Sequence, residues 1–204
     1  MRGSVKAYVA ALVAFTALAN FASSEASYAM LAVASGFFLA GKWRGCRLPS
    51  PGLTVLALLL PAASQAPLAA SSTPAGRSPA AYTFAVAAAV TEELFFRGVL
   101  LSALGLPLQA FAFALAHLRL TDPVSLVESA LLVPHFFLLG LAFGSVAERG
   151  GFPLSAASHA VYNLISYLYL LPFNFESVLA LTLCDAAAAL TLVAVNRGIL
   201  PAIR

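Results

Sequence analysis

Charge is what this chain has least of: 9% of its 204 residues are Asp, Glu, Lys or Arg, against 61% hydrophobic residues. Soluble domains carry about 25% charged residues, so an ordinary water-soluble domain is excluded and an integral membrane protein is predicted. Polar and apolar residues do not alternate with a period of two, which excludes a transmembrane barrel. A helical bundle remains, because lipid forces the backbone groups of each segment to pair within it. Cysteine is scarce too. Cys46 lies in a basic stretch and Cys184 far downstream, at no metal-ligand spacing, and no disulfide is expected between them. No soluble domain, long linker or repeat is visible, and the Ser-, Pro- and Gly-rich stretch 71–79 reads as a loop. The net charge of +3 is explained by basic residues flanking the apolar segments, so nucleic acid is not predicted as a partner.

What is abundant is apolar sequence. Charge-free runs cover 7–24, 26–41, 48–76, 98–118, 129–147 and 150–175, most of them near the roughly 20 residues a spanning helix needs. The pattern predicts an all-α, polytopic membrane bundle of about eight transmembrane helices in one domain over 1–204, at roughly 5–22, 27–42, 51–69, 80–104, 107–118, 124–147, 152–171 and 177–196. With both termini cytoplasmic, Arg2, Lys6, Lys42, Arg44, Arg47, Arg149, Arg197 and Arg204 fall inside, while Arg77 and Arg119 fall outside. That asymmetry supports this orientation in a plasma membrane, with the lipid bilayer as the first partner. The alternative at the N-terminus is a signal peptide, since Arg2 and Lys6 precede an apolar run ending in small residues.

Against this background Glu92, Glu93 and Arg97 stand out inside the apolar segment 78–104. A charge at the centre of a membrane helix costs roughly 2.5 to 3.5 kcal/mol on insertion scales, so the cluster must have partners or a wet cavity. Gly105 and Pro107 mark a helix stop and a helix start. At 1.5 Å per residue, Glu92 before the turn and His117 after it both lie roughly 18 to 20 Å from it, opposite each other in an antiparallel hairpin. A second turn at Gly150 and Gly151 places His159 about 12 Å and Asn163 about 18 Å along the next helix. Glu93 with Arg97, Phe113 with His117, and His159 with Asn163 are each four apart and share a helix face.

Such a set suits hydrolysis. A carboxylate hydrogen-bonded to an imidazole can hold a water and take its proton as the water attacks a carbonyl. A second imidazole and an amide N–H can face the oxyanion, where one donor is worth roughly 2.7 to 4 kcal/mol. Arg97 pairing with Glu93 would leave Glu92 free as the base.

The residues 92–97, Glu-Glu-Leu-Phe-Phe-Arg, resemble the Glu-Glu-x-x-x-Arg motif of the CAAX-prenyl-protease and bacteriocin-processing family of intramembrane proteases, also called CPBP or Abi. Residues 113–117 match its Phe-x-x-x-His motif and residues 159–163 its His-x-x-x-Asn motif, with Gly140–Gly144 and Glu148-Arg149-Gly150 similar to the usual lead-in. The resemblance covers roughly 79–166. It implies an eight-helix fold with a lipid-accessible cavity and an endopeptidase of the glutamic type, which cuts near a prenylated C-terminus in the prenyl-protease branch. Its residue roles would make Glu92 the base, His117 its partner on the water, and His159 and Asn163 the oxyanion donors, with Glu93 and Arg97 shaping the site. No cofactor is expected.

Competing readings follow from the same residues. Glu93 and Arg97 could be a purely structural ion pair. Glu92, His117 and His159 could ligate zinc in a metalloendopeptidase, although no H-E-x-x-H is present and Asn163 is a poor zinc ligand. A non-proteolytic immunity or transport protein is the alternative from another class, without inverted repeats to favour transport. His135, after Pro134, reads as a satisfied bundle residue, and Asp185 and Glu128 as hydrogen-bonded interior or rim residues. Gly140 and Gly144 form a ridge for close helix approach, and Pro134 is expected to kink its helix. The substrate, a peptide or protein, is not readable from the sequence.

Overall fold

A computed structural model describes residues 5–40, 49–65, 69, 72–170 and 173–199. Arg2, Lys42, Arg44, Cys46, Arg47 and Arg204 lie outside the described residues, and with them much of the charge asymmetry on which the orientation rests.

Among the described residues the architecture is all-helical apart from one minimal strand pair. In chain order the elements are α1 (Val5–Phe21), α2 (Ser24–Leu39), α3 (Pro51–Ala63), β1 (Thr73–Pro74), α4 (Pro79–Phe95), a π-helical turn (Phe96–Leu100), α5 (Leu101–Leu104), α6 (Leu106–Ala116), α7 (Pro123–Leu131), α8 (Val133–Leu168), β2 (Tyr169–Leu170) and α9 (Phe175–Asn196). The antiparallel pairing of β1 with β2 ties part of the predicted 71–79 loop to the end of α8.

The sequence starts these helices with side chains that accept the first free N–H groups. Ser23, Ser50, Ser78, Asp122 and Asn174 each cap a helix in this way. Asp122 accepts from the backbone of Ser125 and Val124, and these donors, Ser125 first, hold its carboxyl below the usual carboxylate range. The predicted breaks occur where expected. Gly105 takes φ 78°, between α5 and α6. Gly151 takes φ 76° and divides α8 into arms 133–150 and 152–168. These left-handed values favour glycine.

The predicted helix 124–147 is two pieces: α7 and α8 meet at Leu132 with a 47° bend. Pro134 in the first turn of α8 offers no N–H to continue α7. Predicted helix 51–69 is described as α3 only to Ala63. By length and apolarity, one described helix, α9, could cross a bilayer, or two if α7 and α8 form one bent span. α1, α3 and α6 are apolar but shorter; α6, with 11 residues, is about 16 Å long against a hydrocarbon core of about 30 Å. The all-α bundle therefore stands, whereas eight full-length apolar spans do not follow from helix lengths.

α8 is the central element and touches α3, α4, α6 and α9. Phe95, Phe96, Phe113, Phe143 and Tyr162 fill the core around the carboxylates, and Leu53, Ala57, Val146 and Leu192 fill a second cluster under α3 and α9. At Gly140 the backbones of α6 and α8 nearly touch. A Cβ there would stand 2.8 Å from the Ala110 Cα and 3.0 Å from its carbonyl oxygen. Gln109, fully buried, donates to the Gly140 carbonyl at 2.8 Å. Gly140→Ala must therefore push backbone, not a flexible side chain, and is expected to lose about 1–3 kcal/mol of stability. Unfolding temperature in detergent measures it, and an unchanged midpoint would show that the two helices part without cost.

Candidate active site

The two glutamates close α4 just before the π turn. Neighbouring positions on a helix point about 100° apart, so the adjacent carboxylates meet different partners.

Glu93 is completely buried and faces α8. Arg97 Nη1 stands 2.9 Å from its Oε1 as an ion pair, one turn along the same helix. His159 Nδ1 lies 2.9 Å from Oε1 and Ser155 Oγ 2.5 Å from Oε2. The guanidinium sits among three phenyl rings, closest over Phe113 at 4.5 Å, with Phe143 and Phe96 at 5.6 and 5.9 Å, an arrangement that favours a desolvated cation. Glu93 thus joins α4 to the second arm of α8, and Arg97 is anchored as expected.

Glu92 has no cation at hydrogen-bond distance among the described residues. Its Oε1 accepts from the Tyr28 hydroxyl at 2.5 Å. Its Oε2 is buried without a hydrogen-bond partner, and faces His159 Nε2 at 3.8 Å and His117 Nε2 at 4.0 Å. The hairpin arithmetic through Gly105 and Gly151 therefore brings both imidazoles to the Glu92 carboxylate from separate helices.

Both rings are held in one orientation. His117 caps the end of α6 with Nδ1 2.8 Å from the Phe113 carbonyl and stacks on Phe136 at 4.0 Å. His159 stacks on Phe143 at 4.6 Å. A carbonyl and an ionised carboxylate only accept, so Nδ1 carries the proton in each ring and Nε2 is the free atom. Three lone-pair atoms, Glu92 Oε2 and two Nε2, then face one small volume. A water there has two protons for three acceptors, so it can satisfy two of them at a time. Among the described residues no group of three or more His, Cys, Asp or Glu has a geometry suited to a metal ion.

Asn163 meets α4 at the backbone of that helix. It lies one turn past His159 and donates to the Ala85 carbonyl at 3.3 Å, two turns before Glu92 on α4. It bonds neither carboxylate. Its position between α8 and α4 still leaves its amide on the same helix face as His159.

The remaining buried groups form a separate network. His135 Nδ1 is 2.6 Å from Asp185 Oδ2, and Ser64 Oγ is 2.6 Å from Oδ1. His135 and Asp185 are satisfied interior residues, as read from the sequence, and Glu128 is exposed at the rim. Sequence reasoning missed Tyr28, Ser155 and Gln109. No spacing could have revealed the first two, whose partners lie 64 and 62 positions away. Gln109 carried one signal, an amide inside an otherwise apolar helical segment.

Residues 74–165 match the family model described as type II CAAX prenyl endopeptidase Rce1-like. The matched stretch contains the three motifs, so it coincides with the resemblance to the CAAX-prenyl-protease and bacteriocin-processing family. The match supports a protease acting on peptide or protein substrates. No curated protein and no solved structure matches the chain.

Proposed function

We propose that this chain, Rce1-like over its motif-bearing residues, is a membrane-embedded glutamic endopeptidase whose base is Glu92. The observation that carries the reading is the buried, unpartnered Glu92 Oε2 facing two imidazole Nε2 atoms at 3.8 and 4.0 Å. Water held there is polarised by Oε2 and His117 Nε2. As it attacks the scissile carbonyl, Glu92 takes one proton. When His159 carries a proton on Nε2, that N–H faces the developing oxyanion, joined by the Asn163 amide. Collapse of the tetrahedral intermediate expels the amine, to which Glu92 returns the proton. A new carboxylate and a free amine result.

Exposed side chains support a lipid environment. Val9, Val13, Val33, Phe37, Leu59 and Leu190 are each more than half exposed, a spread of apolar surface that water-facing monomers rarely carry. Short helices such as α6 are then buried elements or part-spans, and the multi-pass arrangement with cytoplasmic termini in a prokaryotic plasma membrane belongs to this proposal.

The test of function compares membranes from cells carrying wild-type protein with membranes from cells carrying Glu92→Gln, looking for newly uncut C-termini. A set of uncut peptides restored by wild type is expected; identical termini would sink the protease reading in favour of a binding or immunity role. A farnesylated CAAX peptide is the probe for the prenyl-protease branch.

The reading is metal-free. Two imidazoles and a carboxylate are also a zinc-type donor set, and their outer nitrogens already have partners of the kind that orient metal ligands. Activity is therefore expected to persist in excess chelator, on protein shown by metal analysis to hold no stoichiometric zinc. Loss of activity with chelator and recovery with zinc would instead establish the metalloendopeptidase.

A further inference from the structure

We infer that Tyr28 of α2 is a positioning residue that fixes the Glu92 carboxylate for catalysis. The inference rests on the reading of Glu92 as the base. It extends the site to a helix outside the matched residues 74–165.

The hydroxyl of Tyr28 stands 2.5 Å from Glu92 Oε1. Its ring is held edge-on by Phe15 of α1, with centroids 5.4 Å apart, and by Phe84 of α4, also at 5.4 Å. Phe84, Ala88 and Glu92 are spaced four apart and form one row along α4. The Tyr28 ring meets the first of these and its hydroxyl the last, with a small alanine between them. A tyrosine has two side-chain torsions, and two aromatic edges restrain both, so its donor is in place before any substrate arrives.

The terminal torsion of a glutamate is broad, and an unheld carboxylate would sample many orientations. Engaging Oε1 leaves Oε2 as the atom directed at His117 and His159. The two glutamates are thereby held by different chemistry. Glu93 is bound to a guanidinium, which compensates its charge. Glu92 is held by a neutral phenol, which orients the carboxylate without supplying a countercharge.

Tyr28→Phe keeps the ring clamp and removes only the donor. With purified protein in detergent and an internally quenched farnesylated CAAX peptide, kcat is expected to fall about ten- to hundredfold, the range of one hydrogen bond to a charged group, with KM unchanged and the protein still folded. Phe84→Leu, which retains the hydroxyl but loosens the ring, should lower kcat in the same direction by less.

Infrared difference spectra provide a readout that needs no turnover. Wild type minus Glu92→Gln identifies the Glu92 carboxyl band, and Tyr28→Phe should displace that same band. A displaced band with lowered kcat supports the positioning role. An undisplaced band, or a displaced band with unchanged kcat, overturns it even though Glu92→Gln is inactive and the base assignment stands. If Glu92→Gln itself retains turnover, the base assignment fails and this inference fails with it.

Discussion

Glu92→Gln is expected to leave a folded, correctly inserted protein that has lost about 10²- to 10⁴-fold in turnover, the usual contribution of a positioned general base. The substitution is close to isosteric. Gln can still accept from Tyr28 through its amide oxygen, and no ion pair to a guanidinium is broken, because Arg97 is committed to Glu93. What is lost is a proton acceptor at Oε2, where both Nε2 atoms converge. An amide NH2 there can only donate, so it cannot take a proton from water. Unfolding temperature in detergent should match wild type while cleavage falls. Retained turnover would remove Glu92 from the role of base, and a large drop in stability would make it structural instead.

Arg97→Met is expected to have the opposite profile, with stability lost first. Removing the guanidinium leaves the Glu93 carboxylate completely buried, with only His159 and Ser155 as partners. Breaking one side of a buried pair costs about 3–5 kcal/mol, since the other charge is left uncompensated. Combining it with Glu93→Gln removes that charge, and the double variant should recover part of the lost stability, as a neutral pair in the same space is often tolerated. His159 would still be misplaced because its Nδ1 partner has changed, so stability should return without activity. A single Arg97 variant as stable as wild type would refute the anchoring role. These two profiles separate base from anchor within one six-residue motif.

The site was legible in the sequence to the extent that it is written in helix spacing. Glu93 with Arg97, and the hairpin through Gly105 that sets His117 against Glu92, follow from regular rise and two glycine turns, and the structure brings these groups together. His159 was placed beside Glu92 by the same counting, but its second partner was not foreseen: a histidine has two nitrogens, and spacing says nothing of which carboxylate each finds. Here Nδ1 meets Glu93 and Nε2 faces Glu92. Asn163 was set at the same depth as Glu92, and its bond to the Ala85 carbonyl of α4 is a contact that a rise count does not show. Tyr28 gave no signal, since a tyrosine in an apolar helix resembles any interfacial aromatic. The bend at Leu132 was announced by Pro134.

The π turn at Phe96–Leu100 has a bearing on how this chain tolerates change in length. A wider turn consumes an additional residue without a matching gain in height. Deleting Gly98 would remove the residue that the wide turn absorbs, so the segment could close into a regular α-helix with the bend at Gly105 and the return strut with His117 near their present azimuth, whereas a deletion from the regular helix of α4 would rotate all that follows by about 100°. In the regular helix of α4, exchanging side chains alters contacts, whereas changing the residue count alters the compass bearing of all that follows. The turn is the slack between two halves of one reaction centre, the place on this helix where a single residue could be lost with the least change of bearing.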